Sequence, residues 1–253
     1  MRNVKKTEKQ VAPAKARKIK HKRILLKLSG EALGSRETGE CLDTKKLSYM
    51  AGEVAKIRKA GVEVAIVLGG GNIFRGLKGM EGGVDRVTGD TMGMLATIIN
   101  ALAMMNALRA SGVPARVMTA REMPSVAEAF VQEKAVKLLA SGEVVIIAGG
   151  TGNPYFSTDS ASALRACEIH ADALLKATNV DGIYTADPKK DPTATKFDSI
   201  KYETALEKRL KVMDAAAFAL CMENSIPIVV FDFFEKDALM RVVKGDKVGT
   251  TVG

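Results

Sequence analysis

Val62-Glu63-Val64-Ala65-Ile66-Val67-Leu68-Gly69-Gly70-Gly71-Asn72 decides the fold. After Glu63 the apolar residues follow one another without alternation, the pattern of a strand buried on both faces of a parallel sheet. The run stops at three glycines, where backbone amides can approach an anion closely. The same arrangement recurs at residues 143–148, which lead into Gly149-Gly150-Thr151-Gly152-Asn153-Pro154-Tyr155-Phe156-Ser157-Thr158-Asp159. Further short apolar runs at 24–28, 115–118, 171–175 and 226–231 give four more strands.

Helical patterns lie between these runs. Asp43 can cap a helix carrying Leu47, Met50, Val54 and Ile57, stopped by Gly61. A longer one starts near Thr88, carries Leu95, Ile98, Ile99, Leu102, Met105 and Leu108, and ends at Gly112 before Pro114. Others are expected at 125–140, 159–170, 203–209 and 212–224. Alternating strands and helices predict an α/β fold, a three-layer α/β/α sandwich around a mostly parallel sheet.

The 253 residues are 47% hydrophobic and 26% charged, ordinary values for a soluble globular chain. No uninterrupted apolar run reaches the 18 residues of a membrane span, and the N-terminus has no secretory pattern, so a cytoplasmic protein with no membrane partner is expected. The net charge is +9. Residues 1–23 hold ten Lys or Arg against Glu8 alone, and the remaining 28 basic and 28 acidic residues cancel. Residues 1–22 therefore read as a basic disordered tail, and nucleic acid would bind only through it. Residues 23–253 form one domain with no internal linker.

Cys41, Cys167 and Cys221 are far apart, which excludes a disulfide scaffold or a zinc finger. Only His21, in the tail, and His170, alone in a helical stretch, are present, so a Ser-His-Asp triad or a multi-His metal site would be hard to build. Chemistry must run on Lys, Arg, Asp, hydroxyls and backbone amides. Two glycine loops at strand ends place a phosphate ligand there. Neither Walker A nor the Rossmann fingerprint fits: no Lys follows Gly76 as required, and Phe74 stands where a third Gly would be needed. Lys27, at the end of its strand, either snorkels to water or meets phosphoryl oxygens in a cleft. Asp90 and Asp159 stand near helix starts, where a carboxylate is favoured by the helix dipole in any case.

Several segments together resemble the bacterial UMP kinases of the amino-acid-kinase family. They are Lys27-Leu28-Ser29-Gly30-Glu31-Ala32-Leu33, Gly69-Gly70-Gly71-Asn72-Ile73-Phe74-Arg75-Gly76 and Gly89-Asp90-Thr91-Met92-Gly93-Met94-Leu95-Ala96-Thr97. The loop before Asp159, residues 176–188 and Leu210-Lys211-Val212-Met213-Asp214 continue the match in order from Arg23 onward. The segment around Asp90 is the most specific, because it separates UMP kinases from the carbamate, acetylglutamate, glutamate and aspartate kinases.

The resemblance implies transfer of the ATP γ-phosphoryl group to UMP. It implies an N-terminal lobe for UMP and a C-terminal lobe for ATP, with Mg²⁺ carried on the ATP phosphates. Lys27, Arg75, Asp159 and Asp214 would be catalytic. Lys27, Leu28, Ser29, Gly30, Gly71, Arg75, Thr178, Asn179, Tyr184 and Asp187 would bind ATP. Gly70, Asp90, Thr151, Gly152, Asn153, Pro154, Tyr155, Phe156, Ser157 and Thr158 would bind UMP. GTP and UTP as effectors and a homohexamer also follow from the resemblance, although residues 34–42 match no pattern of the family. Two other readings stay open at this point: a kinase of the same fold with a different acceptor, and a nucleotide-binding regulator without catalysis. A regulator could dispense with Lys27, whereas Lys27, Arg75 and Asp90 are all present.

Overall fold

The computed structural model describes residues 18–35, 37–74, 83–186, 188, 190–210 and 213–253. In chain order its elements are β1 (Arg23–Leu28), α1 (Thr44–Lys59), β2 (Glu63–Leu68), α2 (Arg86–Ala110), β3 (Ala115–Thr119) and β4 (Glu128–Ala129). Then come α3 (Gln132–Ser141), β5 (Val144–Ala148), α4 (Thr158–Glu168), β6 (Ala173–Thr178), β7 (Ser199–Ile200) and α5 (Tyr202–Glu207). The last are α6 (Ala215–Glu223), β8 (Ile228–Asp232), α7 (Ala238–Val243) and β9 (Thr250–Val252). The strands form one nine-stranded sheet in the order β4-β3-β5-β2-β1-β6-β8-β9-β7. Every pairing is parallel except β8 with β9.

The alternation of side chains along a strand separates two cores. Ile24, Leu26 and Leu28 of β1 join Val54 and Ile57 of α1, Met104 and Leu108 of α2, and Leu239 and Val242 of α7. Leu25 of the same strand joins Leu139 of α3, Ala163 of α4, Tyr202 of α5 and Phe218 of α6. Helices therefore cover both faces, and the expected three-layer sandwich is observed. The continuous apolar runs of β2 and β5 follow from burial on both sides, since all five residues of β5 are buried.

Helix ends follow local chemistry. Asp43 caps α1 by accepting from the N–H groups of Lys45 and Lys46 at 2.9 and 3.2 Å. Helix α2 starts at Arg86, close to the expected Thr88, and Asp85 caps it by accepting from the N–H groups of Val87 and Thr88 at 3.0 and 3.1 Å. The 25 residues of α2 are long and apolar enough to cross a membrane by length and composition alone. Ile98, Ala101, Met104 and Leu108 instead pack into the first core.

Several boundaries differ from the sequence expectation. The helix expected from residue 125 begins only at Gln132, because 120–131 form a loop with the short strand β4. Strand β6 runs to Thr178, past Lys176, which interrupts the apolar run without ending the strand. His170, expected in a helix, lies beyond the end of α4 at a φ of 54°. Helix α7 and strands β4, β7 and β9 had no signal in the apolar pattern.

The expected tail of residues 1–22 must end earlier. Ile19 packs against the first core, and His21 is 7% exposed. The N–H groups of Lys20 and His21 donate to the Val243 carbonyl at 2.9 and 3.1 Å, and that of Lys22 to Asp172 Oδ2 at 2.6 Å. Residues 18–22 thus belong to the domain, because one apolar residue and a backbone docked on α7 outweigh the solvation of their charges. Truncation after residue 22 is expected to lower Tm relative to truncation after residue 17. Losing these bonds should cost about 2 kcal/mol, or roughly 4–8 °C for a domain of this size. Calorimetry of the two chains checks this, and equal Tm values would contradict it.

Candidate active site

Lys27 and Lys176 are register partners on the adjacent parallel strands β1 and β6. Strand parity sends Ile24, Leu26 and Leu28 into the first core and turns Lys27 with Leu25 toward the α4 face. Leu175 and Ala177 likewise flank Lys176 on the opposite face. Asp159, in the first turn of α4, meets both ammonium groups. Its Oδ2 is 2.7 Å from Lys176 Nζ and its Oδ1 3.1 Å from Lys27 Nζ. The three side chains are only 16%, 12% and 15% exposed. Lys27 therefore does not snorkel. Its contact is one of charge rather than a directed hydrogen bond, so its N–H groups remain available to a bound anion. Burial holds Lys176 below the ordinary lysine range; Asp159 pulls it upward and the Lys27 charge pushes it down again.

Asp214 fastens the helix that carries Asp159. It caps α6 by accepting from the Ala217 N–H at 2.8 Å. It also accepts from Ser160 Oγ, at 3.0 and 2.9 Å to its two oxygens, and from Ser157 Oγ. Ser157 in turn caps α4, accepting from the N–H groups of Asp159 and Ser160 at 3.0 and 3.2 Å. Burial raises the Asp214 carboxyl, but the bonds from Ser157, Ala217 and Ser160 outweigh it and hold the group below its usual range. A carboxylate so fully engaged acts as a fastener rather than as a base.

The glycine loops are pressed together. A Cβ on Gly30 would lie 2.5 Å from the Gly69 carbonyl oxygen, and one on Gly70 would lie 2.7 Å from that of Gly93 on α2. Only glycine permits these approaches. Gly70, Gly71, Asp90, Met94, Thr151 and Phe156 line a cleft of about 670 Å³, together with Asn153, Tyr155, Ser157 and Thr158. Asp90 does not cap its helix, which Asp85 already does. Its Oδ2 accepts from Arg86 Nε and from the Tyr155 N–H, both at 2.7 Å, which leaves Oδ1 for a ligand. The Arg86 guanidinium lies 5.3 Å from the Tyr155 ring centre.

Lys27, Leu28, Ser29, Thr178 and Asn179 line a second cleft of about 720 Å³ over the carboxyl ends of β1 and β6. Lys27 thus lines the second cleft, while its partner Asp159 lies in sequence between Thr158 and Ser160, which line the first. Not every expected residue converges. Gly152 and Pro154 line neither cleft; Gly152 turns toward the Ala120 carbonyl, which a Cβ there would meet at 3.0 Å. Tyr184 also lines neither, and its hydroxyl donates to Asp181 Oδ1 at 2.8 Å. Arg75 and Asp187 lie outside the described residues. Three residues had no assigned role in the sequence reading: Lys176, Ser160 and Arg86. A lysine in an otherwise apolar strand, as at Lys27, was the available signal for the first.

The sequence model described as Amino acid kinase family matches residues 22–232. The chain belongs to the amino acid kinase family. Within that family it is 54% identical over 234 residues to a uridylate kinase of Bacteroides thetaiotaomicron, covering 92% of this chain and 98% of that one. It is equally 54% identical to a uridylate kinase of Phocaeicola vulgatus over 91% of this chain and 98% of the other. Among solved structures it resembles the UMP kinase of Bacillus anthracis, with a TM-score of 0.90 and 40% identity over 92% and 96% of the two chains. The uridylate kinase of Archaeoglobus fulgidus is more distant, with a TM-score of 0.70 and 27% identity over 91% and 99%.

The shared carboxylate of this amino acid kinase can be tested without substrate. Asp159→Asn removes the largest influence that raises Lys176, leaving only the weaker one of Asp214, so the Lys176 ammonium should lose its proton at a lower pH than in the wild type. NMR titration of the lysine side chains reads the midpoint. An unchanged midpoint would mean that the pair is not electrostatically coupled.

Proposed function

We propose that this amino acid kinase transfers the γ-phosphoryl group of ATP to UMP, giving UDP and ADP in pyrimidine nucleotide biosynthesis. The observation that carries the reading is the Lys27–Asp159–Lys176 cluster: Lys27 lines the cleft of Ser29 and Thr178, and Asp159 lies in sequence between Thr158 and Ser160 of the cleft lined by Asp90. The names of its relatives, at 54% identity, supply the acceptor.

Phosphoryl transfer through a loose transition state asks mainly for positioning and for charge on the equatorial oxygens. Lys27 and Lys176 offer that charge in a largely dry setting, and Asp159 keeps both ammonium groups in place before substrate arrives. Ser29, Gly30, Gly70 and Gly71 lend backbone amides at strand ends, and the start of α4 adds its positive dipole. Asp90 Oδ1 accepts from the ribose hydroxyls of UMP, with Thr151, Asn153, Tyr155, Phe156, Ser157 and Thr158 around the nucleotide. Thr178 and Asn179 face the ATP side, where we also place Tyr184 and Asp187; Arg75 completes the charge at the transferring group. No strong base is needed, because the UMP phosphate is already a competent nucleophile near neutral pH.

Among the described residues no three His, Cys, Asp or Glu side chains form a metal cage. Asp159 and Asp214 are committed to the lysines and serines, so the residues present fit an ion that arrives on the ATP phosphates and keeps its waters. Mg²⁺ carried on the ATP phosphates would supply further neutralisation of charge on the transferring group. We place the enzyme in the cytoplasm as an oligomer, with the family's hexamer as the specific form. The exposed apolar side chains Val87, Met92, Leu95 and Ile99 of α2 support a subunit contact. GTP and UTP are its proposed effectors.

The deciding experiment follows ADP release with UMP, CMP, dUMP, acetylglutamate and carbamate as acceptors. Release driven by acetylglutamate or carbamate but not by UMP would overturn the reading. Lys27→Met should lower kcat by the equivalent of about 3–4 kcal/mol with little change in UMP binding; a folded variant with wild-type kcat would remove Lys27 from the chemistry. Asp90→Asn should act on recognition, raising KM for UMP roughly tenfold, because an amide accepts at only one end. Steady-state kinetics checks both, and unchanged KM for UMP would contradict the ribose contact.

A further inference from the structure

Helix α2 meets both glycine loops through two buried side chains one turn apart, and the roles assigned above leave both unused. Thr97 is 6% exposed and Asn100 fully buried. Thr97 Oγ1 accepts from the Gly149 N–H at 2.8 Å and donates to the Met94 carbonyl at 2.7 Å. Asn100 Nδ2 donates to the Gly69 carbonyl at 2.7 Å and to Asn72 Oδ1 at 2.8 Å, while its Oδ1 accepts from Asn72 Nδ2 at 3.0 Å. Asn72 Nδ2 also donates to the Cys41 carbonyl at 2.7 Å. Both N–H bonds of the Asn100 amide are thus used, and the reciprocal pair with Asn72 fixes which way it points. The strands that end in these loops, β2 and β5, are neighbours in the sheet.

We propose that Thr97 and Asn100 are positioning residues that lock the loops after β2 and β5 to the same helix that presents Asp90. The inference rests on the phosphotransfer reading and deepens it. Asp90 lies seven residues before Thr97, so one rigid element both receives the acceptor and fixes the backbone amides around the transferring phosphoryl group. The absence of a Cβ at Gly70 lets the loop sit directly on the Gly93 carbonyl, and the two hydrogen bonds then set its distance. Reacting atoms must be held to within a fraction of an ångström for in-line transfer, so releasing one loop should slow the chemical step more than it weakens either substrate.

Three variants test this: Thr97→Val, which keeps the volume and removes the hydroxyl; Thr97→Ser, which restores it; and Asn100→Asp, which keeps the shape and removes the donor to Gly69. Each is measured for kcat, for KM with UMP and with ATP, and for Tm. Thr97→Val and Asn100→Asp are expected to lose kcat by about 10- to 100-fold, with each KM changing less than about threefold. Thr97→Ser is expected to recover most of the loss seen with Val. The two losses act on different loops, so the clamp is tested at each end even where one variant folds poorly. Wild-type kcat in folded Thr97→Val, a loss that appears only in Tm, or a Ser variant no better than Val would overturn the proposal. Absence of UMP-dependent turnover in the wild type would instead overturn the phosphotransfer reading and the inference with it.

Discussion

Asp159 stands between Lys27 and Lys176, and without it two mostly buried ammonium groups would face each other from register positions of β1 and β6. Taking a charge out of water costs several kcal/mol unless a partner offsets it. One carboxylate serves two cations here, so the cluster keeps a net positive charge that a phosphoryl group can meet. The surroundings work to keep that carboxylate in place. Ser157 caps its helix, and Asp214 binds both Ser157 and Ser160 while capping α6. The lysine pair, the serine pair and the two helix starts are consequently one polar assembly at the carboxyl edge of the sheet.

The second constraint is steric. Gly30 against Gly69, and Gly70 against α2, bring backbone to backbone at separations that no Cβ would allow. Such contacts leave no room for a side chain between the two backbones. A parallel sheet supplies the geometry, since strands β1, β2, β5 and β6 all end on the same edge. Positioning and charge, with no acid–base residue, are what phosphoryl transfer to an already ionised phosphate requires.

Much of this was legible in the sequence because the central strands carry unbroken apolar runs and the glycine clusters stop them. The elements that escaped are those whose residues obtain their partners from elsewhere. Strand β9 is three residues long and pairs antiparallel with β8, and β4 and β7 have two residues each, too few for any period. Asp90 shows the same limit at a single residue. Its place near a helix start is explained by the dipole until Asp85 is seen to hold the cap and Tyr155, far along the chain, is seen to donate to it. Lys176 lay within a quoted segment, but its pairing with Lys27 is a property of strand register. For residues 18–22, low apolar content and dense charge point to a tail, but Ile19 in the core and the bonds to the Val243 carbonyl join them to the domain.

The central claim is that the phosphoryl group passes directly between two substrates held by fixed charges and amides, with no covalent enzyme intermediate. The stereochemical course at phosphorus tests it most directly. ATP made chiral at the γ-phosphorus with sulfur and oxygen isotopes would be turned over with UMP and the configuration of the UDP product determined. A single in-line displacement predicts inversion. Retention would require two displacements through a phosphorylated side chain and would contradict the account.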